Sequence, residues 1–259
     1  MAYKKLKLWF DEELGKLLAD KIGPNHKGFD RSRFVRTIKG QVDPLELKDR
    51  VAVIAKAMHW EFNEDTRAGL EAILQSLGPE NPNETGMFTN YYWVMPMAKY
   101  VEDYGIEHFE LSMEALKEIT KRNTSEYAIR PFIRKYSGQT LDQMMLWAKD
   151  DNFHVRRLAS EGGRPRLPWA SKLEEFIKDP SPLIPILEVL RDDPSKYVQN
   201  SVANCLNDIC KDNREIAVSL VNSWLNEPTK NRIWIIKHGT RGLRKAGDSW
   251  AMDLFKKFQ

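Results

Sequence analysis

Wherever a pattern can be read in this chain, its apolar residues fall at helical spacing. No stretch alternates with the period of two that a half-buried strand requires. Residues 10–22, 30–42, 45–62 and 65–77 each carry such a stripe. Pro44 stands where a first helical turn is expected, with Asp43 before it as a cap. Leu47, Val51, Ile54, Ala55 and Met58 then make the apolar face of that third helix. The spacing predicts an all-α fold. Residues 80–86 are the clearest loop. They set an N-terminal helical cap (1–80) apart from the remainder (87–259) without dividing the chain, 1–259, into two domains.

The C-terminal half repeats itself. Four segments open in a polar or basic turn and run into a basic helix, starting at Ser125, Phe153, Lys196 and Asn231. Their apolar anchors Ala128, Val155, Val198 and Ile233 are spaced by 27, 43 and 35 residues, and an insertion over 164–182 accounts for the long interval. Apolar amphipathic helices lie between them, over 141–147, 183–190 and 216–225. This is a helix–turn–helix array with a period near the roughly 40 residues of HEAT-type repeats; an irregular bundle is the alternative. Such arrays stack into a solenoid whose second helices line a concave face. The expected architecture is a HEAT-like solenoid with an N-terminal helical cap and a concave basic face.

Charge gives that face a purpose. The net charge of +3 is small, but its distribution is uneven. Between Thr120 and Arg166 ten bases face five acids, a net of +5, and between Pro228 and Gly247 six bases stand with no acid. Basic blocks on helices are the usual footprint of a polyanion site, although a solvated helix face has the same composition. No apolar run approaches the roughly 20 residues that span a bilayer, and the N-terminus lacks the pattern of a signal peptide. A soluble cytoplasmic protein is expected, with no membrane partner.

The densest motif is His154-Val-Arg-Arg-Leu-Ala-Ser-Glu161-Gly-Gly-Arg164-Pro-Arg166-Leu-Pro-Trp169. A basic amphipathic helix ends in one carboxylate, breaks at a glycine pair, and passes into an arginine-rich turn with an aromatic at its end. Arginine forks suit phosphate oxygens, and a glycine pair lets the backbone approach a neighbour closely. Glu161 is either the salt-bridge partner of those arginines or a group kept for chemistry. Counted at about 100° per residue from the repeat anchors, Glu126, Glu161 and Asp208 fall at roughly 160°, 240° and 280°. Three acids thus share one side of successive repeats. His154, seven residues before Glu161, shares its helix face and reads as a phosphate contact or a packed side chain rather than an acid.

Other chemistries find little support. The five histidines are scattered, and neither HExxH nor a Cys/His cluster occurs, so no metal is expected. No GxSxG, phosphate loop or dinucleotide fingerprint is present. Cys205 and Cys210 lie in an apolar helical pattern and read as buried thiols. Trp169, following a proline in a basic turn, is the tryptophan best placed to stack on a base.

The block from Ser125 to Phe132, and the run from Val155 through Glu161 to Trp169, resemble the AlkC branch of the HEAT-like DNA alkylation repair glycosylases. Leu45–Lys48, Tyr100-Val101 with Tyr104-Gly105, and Trp234–His238 fit as well, so the resemblance covers nearly the whole chain. Some members carry an additional C-terminal Ig-like β-sandwich; this chain ends at Gln259 and is expected to be the short form. The resemblance implies a monofunctional, monomeric, cofactor-free glycosylase. It would remove cationic N-methylated bases, chiefly 3-methyladenine and 3-methylcytosine, from double-stranded DNA in a bacterial cytoplasm. It implies catalytic roles for Glu161 and Glu126, support from Asp208, and packing of Trp169 at the lesion. Arg156, Arg157, Arg164, Arg166, Lys237 and Arg241 are the expected DNA contacts. A preference for 7-methylguanine, or a non-catalytic repeat scaffold, are the rivals.

Overall fold

The computed structural model describes residues 4–86 and 88–258. Its regular elements are α-helices and short 3-10 turns, with no strand among the described residues. No helix among them is long and apolar enough to cross a membrane. The chain forms two compact units, one ending at Pro131 and the other beginning at Phe132, so that residues 80–86 lie inside the first.

The first unit contains α1 (Glu12–Ile22), α2 (Arg31–Gln41), α3 (Leu47–Glu61), α4 (Thr66–Ser76), α5 (Phe88–Tyr91), α6 (Met95–Tyr104) and α7 (Phe109–Thr120). Asp11, Asp30 and Asp65 cap α1, α2 and α4 by accepting from first-turn amides. The expected start of α3 is wrong by several residues. Asp43 and Pro44 form a turn, closed by Leu45 N–H donating to Val42 O at 3.0 Å, and the helix begins only at Leu47. The reason lies in Arg50. Its buried guanidinium donates to the carbonyls of Leu45 (2.9 Å), Asp43 (2.7 Å) and Phe10 (3.2 Å), which a helix through 43–46 would turn away.

The break between units falls within α8 (Arg130–Lys135). The second unit continues with α9 (Ser137–Trp147), α10 (Phe153–Glu161), α11 (Glu174–Lys178), α12 (Ile184–Leu190), α13 (Lys196–Asp212), α14 (Arg214–Trp224), α15 (Lys230–Gly239), α16 (Arg241–Lys245) and α17 (Ser249–Lys256). Three of the four expected repeat starts are helix starts here, those of α10, α13 and α15. Ser125–Ile129 is instead a turn preceding the short α8. The helix α13 packs against α10 on one side and α15 on the other, while α9, α12 and α14 back them. This is the layered arrangement of a helical repeat fold. Val155, Leu158, Val198, Val202, Leu206, Ile235 and Ile236 fill the seam and are almost fully buried. Burying each such side chain is worth about 1.5–3 kcal/mol.

The α13–α15 contact is tight because α15 ends in a glycine. A Cβ on Gly239 would lie 2.5 Å from Leu206 Cδ2. Gly239→Ala is therefore expected to destabilise by about 1–3 kcal/mol in urea unfolding. Gly40→Ala, on α2 with nothing within 4 Å of its Cβ, should stabilise by about 0.5–1 kcal/mol through helix propensity alone. Equal effects of the two would show that the α13–α15 seam is loose.

Candidate active site

Three inner helices of the second unit present a polar face. On α13, Tyr197, Ser201, Asn204 and Asp208 recur at helical spacing. On α10, Arg157 and Glu161 are a turn apart, and on α15 so are Trp234 and His238. Asn152 caps α10 by accepting from His154 N–H at 2.9 Å, and the apolar side of that helix places Glu161 at its last position.

Glu161 is 5% exposed and Asp208 1% exposed, and Arg164 joins them. Its Nη1 donates to Glu161 Oε1 at 2.7 Å and its Nε to Asp208 Oδ2 at 3.0 Å. Arg157 Nη2 approaches Glu161 Oε1 at 3.6 Å, and Lys211 Nζ reaches Asp208 Oδ1 at 3.2 Å. Burial by itself pushes the Glu161 carboxyl up. The guanidinium groups of Arg157 and Arg164, with a hydrogen bond from Ser201, outweigh that and hold it below the ordinary glutamate value. Arg164 is drawn down by burial, but Glu161 and Asp208 overcompensate and make it a more tenacious cation.

Gly163 of the glycine pair serves packing. A Cβ on Gly163 would fall 2.8 Å from Leu183 Cδ2 and 3.2 Å from Met144 Cε, so the neighbour that comes close is the chain itself. Leaving that contact, the turn ends at Trp169. It is 78% exposed, on a left-handed backbone with φ +62°, a conformation unfavourable for a bulky side chain. Glu126 belongs to the first unit, buried in the turn before α8, where its Oε2 accepts from Thr124 Oγ1 at 2.8 Å. His154 is buried edge-on to Tyr197 at 5.6 Å, a packed side chain.

The expected DNA-contacting bases fall into two groups. Arg156 is bidentate to Asp193 (2.7 and 3.2 Å) and also donates to the carbonyls of Asp150 and Asp151. Arg166 is bidentate to Asp212, with both bonds at 2.6 Å. Together with Arg164, these spend their forks on carboxylates. Arg157 lies over the Tyr197 ring at 4.6 Å, and Lys237 is half-buried with its ammonium 6.0 Å from the Phe255 ring. Arg241 donates to neutral acceptors, Asn204 Oδ1 and the His238 carbonyl. Burial and the nearby Arg164 cation push its pKa down, so its charge is incompletely compensated. It opens onto a groove of about 600 Å³ lined by Asn207, Lys211, Arg241, Gly242, Arg244, Lys245 and Met252. Sequence reasoning did not single out Lys211, Ser201 or Asn204. The polar stripe at Tyr197, Ser201, Asn204 and Asp208 was the signal that would have found them. Among the described residues no group of His, Cys, Asp and Glu is arranged to hold a metal ion.

The sequence and the helical-repeat fold match known proteins. Residues 54–241 match the family model described as DNA alkylation repair enzyme. The Bacillus subtilis (strain 168) protein YhaZ is 37% identical over 251 residues, 96% of this chain and 68% of that relative. The structure of the Pseudomonas fluorescens alkylpurine DNA glycosylase AlkC, bound to DNA containing an abasic site analog, superposes with a TM-score of 0.84 at 34% identity. The match covers 98% of this chain and 69% of that one. The chain belongs to the DNA alkylation repair enzyme family.

The two groups of arginines separate in a stability measurement. Arg156→Ala removes the cation from Asp193, which is 7% exposed and also accepts from the Ser195 N–H, and should cost about 1–3 kcal/mol of unfolding free energy. Arg241→Ala strands no carboxylate and should cost less in the same titration. The reverse order would assign Arg156 to the surface and Arg241 to the framework.

Proposed function

We propose that this chain is a DNA glycosylase that hydrolyses the N-glycosidic bond of cationic N-methylated bases, with 3-methyladenine and 3-methylcytosine as its main substrates. The observation that carries the proposal is the state of Glu161: buried, and held ionised by two guanidinium groups. A carboxylate kept ionised is a poor acid, so it cannot help a neutral base depart. An N3-methylated base needs no such help, because it already bears a positive charge. When the C1′–N bond breaks, its electron pair neutralises the leaving base and positive charge develops on the sugar. A nearby carboxylate stabilises that oxocarbenium-like centre and orients a water toward C1′. The water oxygen forms the new bond, and its proton passes to the carboxylate or to solvent. The base leaves intact, the strand stays unbroken, and no cofactor takes part.

Likeness to an alkylpurine glycosylase captured on DNA supports this reading, as does the groove with Lys211, Arg241, Arg244 and Lys245 on its walls. We assign phosphate contact to Arg157, Lys237 and Arg241. Arg156 and Arg166 would reach DNA only by leaving their carboxylates, and we assign them to holding the repeats. We assign Trp169, exposed on an unfavourable backbone, to packing against the lesion. The protein would act as a monomer on double-stranded DNA in the cytoplasm.

Glu161→Gln is expected to abolish base release from methylated duplex DNA while leaving DNA affinity equal or higher, since one negative charge facing phosphate is removed. Full activity of that variant would end the catalytic assignment. Glu126→Gln and Asp208→Asn should be impaired in the same assay.

Released bases, identified by mass, test the leaving-group argument. 3-Methyladenine should appear and uracil should not; efficient uracil release would overturn the mechanism, and 7-methylguanine as the main product would correct the substrate. Affinity should fall with salt by a slope of about −0.9 per phosphate contacted. Arg241→Ala should flatten that slope by about one contact, and an unchanged slope would remove Arg241 from the interface.

A further inference from the structure

Arg164 falls in the motif where a phosphate contact is expected, yet its guanidinium is not directed at solvent. It is 8% exposed, and two of its nitrogens are bonded to two different buried carboxylates on two different helices. We propose that Arg164 is a positioning residue for base release: a clamp that fixes Glu161 on α10 against Asp208 on α13 and keeps Glu161 in its ionised form. The proposal rests on the glycosylase reading of Glu161 given above.

The geometry carries it. Glu161 ends α10, where the helix terminates, and its buried carboxylate needs a polar partner to fix its position. A single guanidinium spanning Glu161 Oε1 (2.7 Å) and Asp208 Oδ2 (3.0 Å) ties that end to the middle of α13. Arginine suits the task because its fork presents donors in fixed directions; a lysine ammonium has one charged point and a flexible stem. Charge carries it as well. Two buried carboxylates bonded to one group repel each other, and without a cation between them one would take up a proton.

The groups facing this pair are few. On α10 and the following turn they are Arg157 and Arg164. From α13 come Ser201, Asp208 and Lys211. Arg166, further along the same turn, is close enough to interact with the Asp208 charge, and Arg241, following α15, is close enough for its charge to be felt by Arg164. The helix α9, also packed against α10, approaches the Gly163 turn with the apolar Met144, and the 3-10 turn leading into α12 approaches it with Leu183. Removing Arg164 leaves Glu161 with Arg157, whose guanidinium stands off at 3.6 Å. The sign follows: burial then prevails, the Glu161 pKa rises, and the ionised form is lost as pH falls through the new value.

The test is a carboxyl-carbon NMR titration of Glu161 in ¹³C-glutamate-labelled protein, assigned by the signal that Glu161→Gln removes. Alongside it runs single-turnover base release from methylated duplex DNA between pH 5.5 and 8. The wild-type signal should titrate below the ordinary glutamate value of about 4.3. In Arg164→Gln it should move up, because burial then outweighs the remaining positive charge. Base release by the variant should then fall about tenfold from pH 8 to pH 5.5, while the wild-type rate stays flat. Arg164→Lys covers the case in which the glutamine variant fails to fold. It should keep the Glu161 midpoint near wild type but lower the plateau rate, because one ammonium cannot hold both carboxylates. The clamp is overturned if the Glu161 midpoint does not move in Arg164→Gln and the salt slope of DNA binding instead drops by about one contact. It is equally overturned if Arg164→Lys has the full plateau rate. If the wild-type protein releases no base from any methylated DNA, the glycosylase reading fails, and the titration still decides whether Arg164 sets the charge of Glu161.

Discussion

Two carboxylates buried at one helix seam repel each other, and the seam of α10 with α13 exists in its present form because Arg164 stands between Glu161 and Asp208. Removing water from ionised groups costs several kcal/mol for each ion unless hydrogen bonds and opposite charge offset it. Here both carboxylates are met by donors in good geometry, and Asp208 is met a second time by Lys211. The arrangement is therefore a compromise between packing and charge. It allows an ionised glutamate to remain out of water, which an exposed acid could not do and an unpaired buried acid would avoid by taking up a proton.

The same logic organises the other arginines. Arg156 meets Asp193, Arg166 meets Asp212, Arg214 meets Asp248, and Arg232 meets Asp192, each reaching from one segment of the second unit to another. These pairs join successive repeats at their polar rims, while Val155, Val198, Leu206 and Ile236 join them in the apolar seam. Lys211, Arg241, Arg244 and Lys245, which take no part in these four pairings, line one groove. A repeat protein can divide its charge in this way because each inner helix has one face in the core and another open to a ligand.

The chain belongs to the DNA alkylation repair enzyme family. On the reading proposed above, the site acts on a lesion that carries its own positive charge and therefore needs no proton donor. It would need a fixed negative charge near the sugar and enough positive charge around it to hold the backbone. The two demands conflict electrostatically, and burying the acid behind guanidinium groups while leaving other cations at the surface reconciles them.

Helical periodicity without alternation determined the all-α fold, and the recurrence of Val155, Val198 and Ile233 determined the helix starts of the repeats, because burial of one stripe every turn is a local property of sequence. The motif around Glu161 determined the family for a similar reason: its residue types and spacing are specific. The sequence could not decide which arginines face DNA. Arg156, Arg164 and Arg166 read as one basic block, yet their carboxylate partners Asp193, Asp208 and Asp212 lie about forty residues further along the chain. Nor could it decide what Gly163 approaches, since Met144 arrives from α9 and Leu183 from the turn before α12, or that α3 starts after Asp43 and Pro44, since Arg50 binds the carbonyls of Asp43, Leu45 and Phe10. Only the tertiary structure settles these points, because the strength of a charge or the need for a small residue depends on what the fold brings within a few ångströms of it.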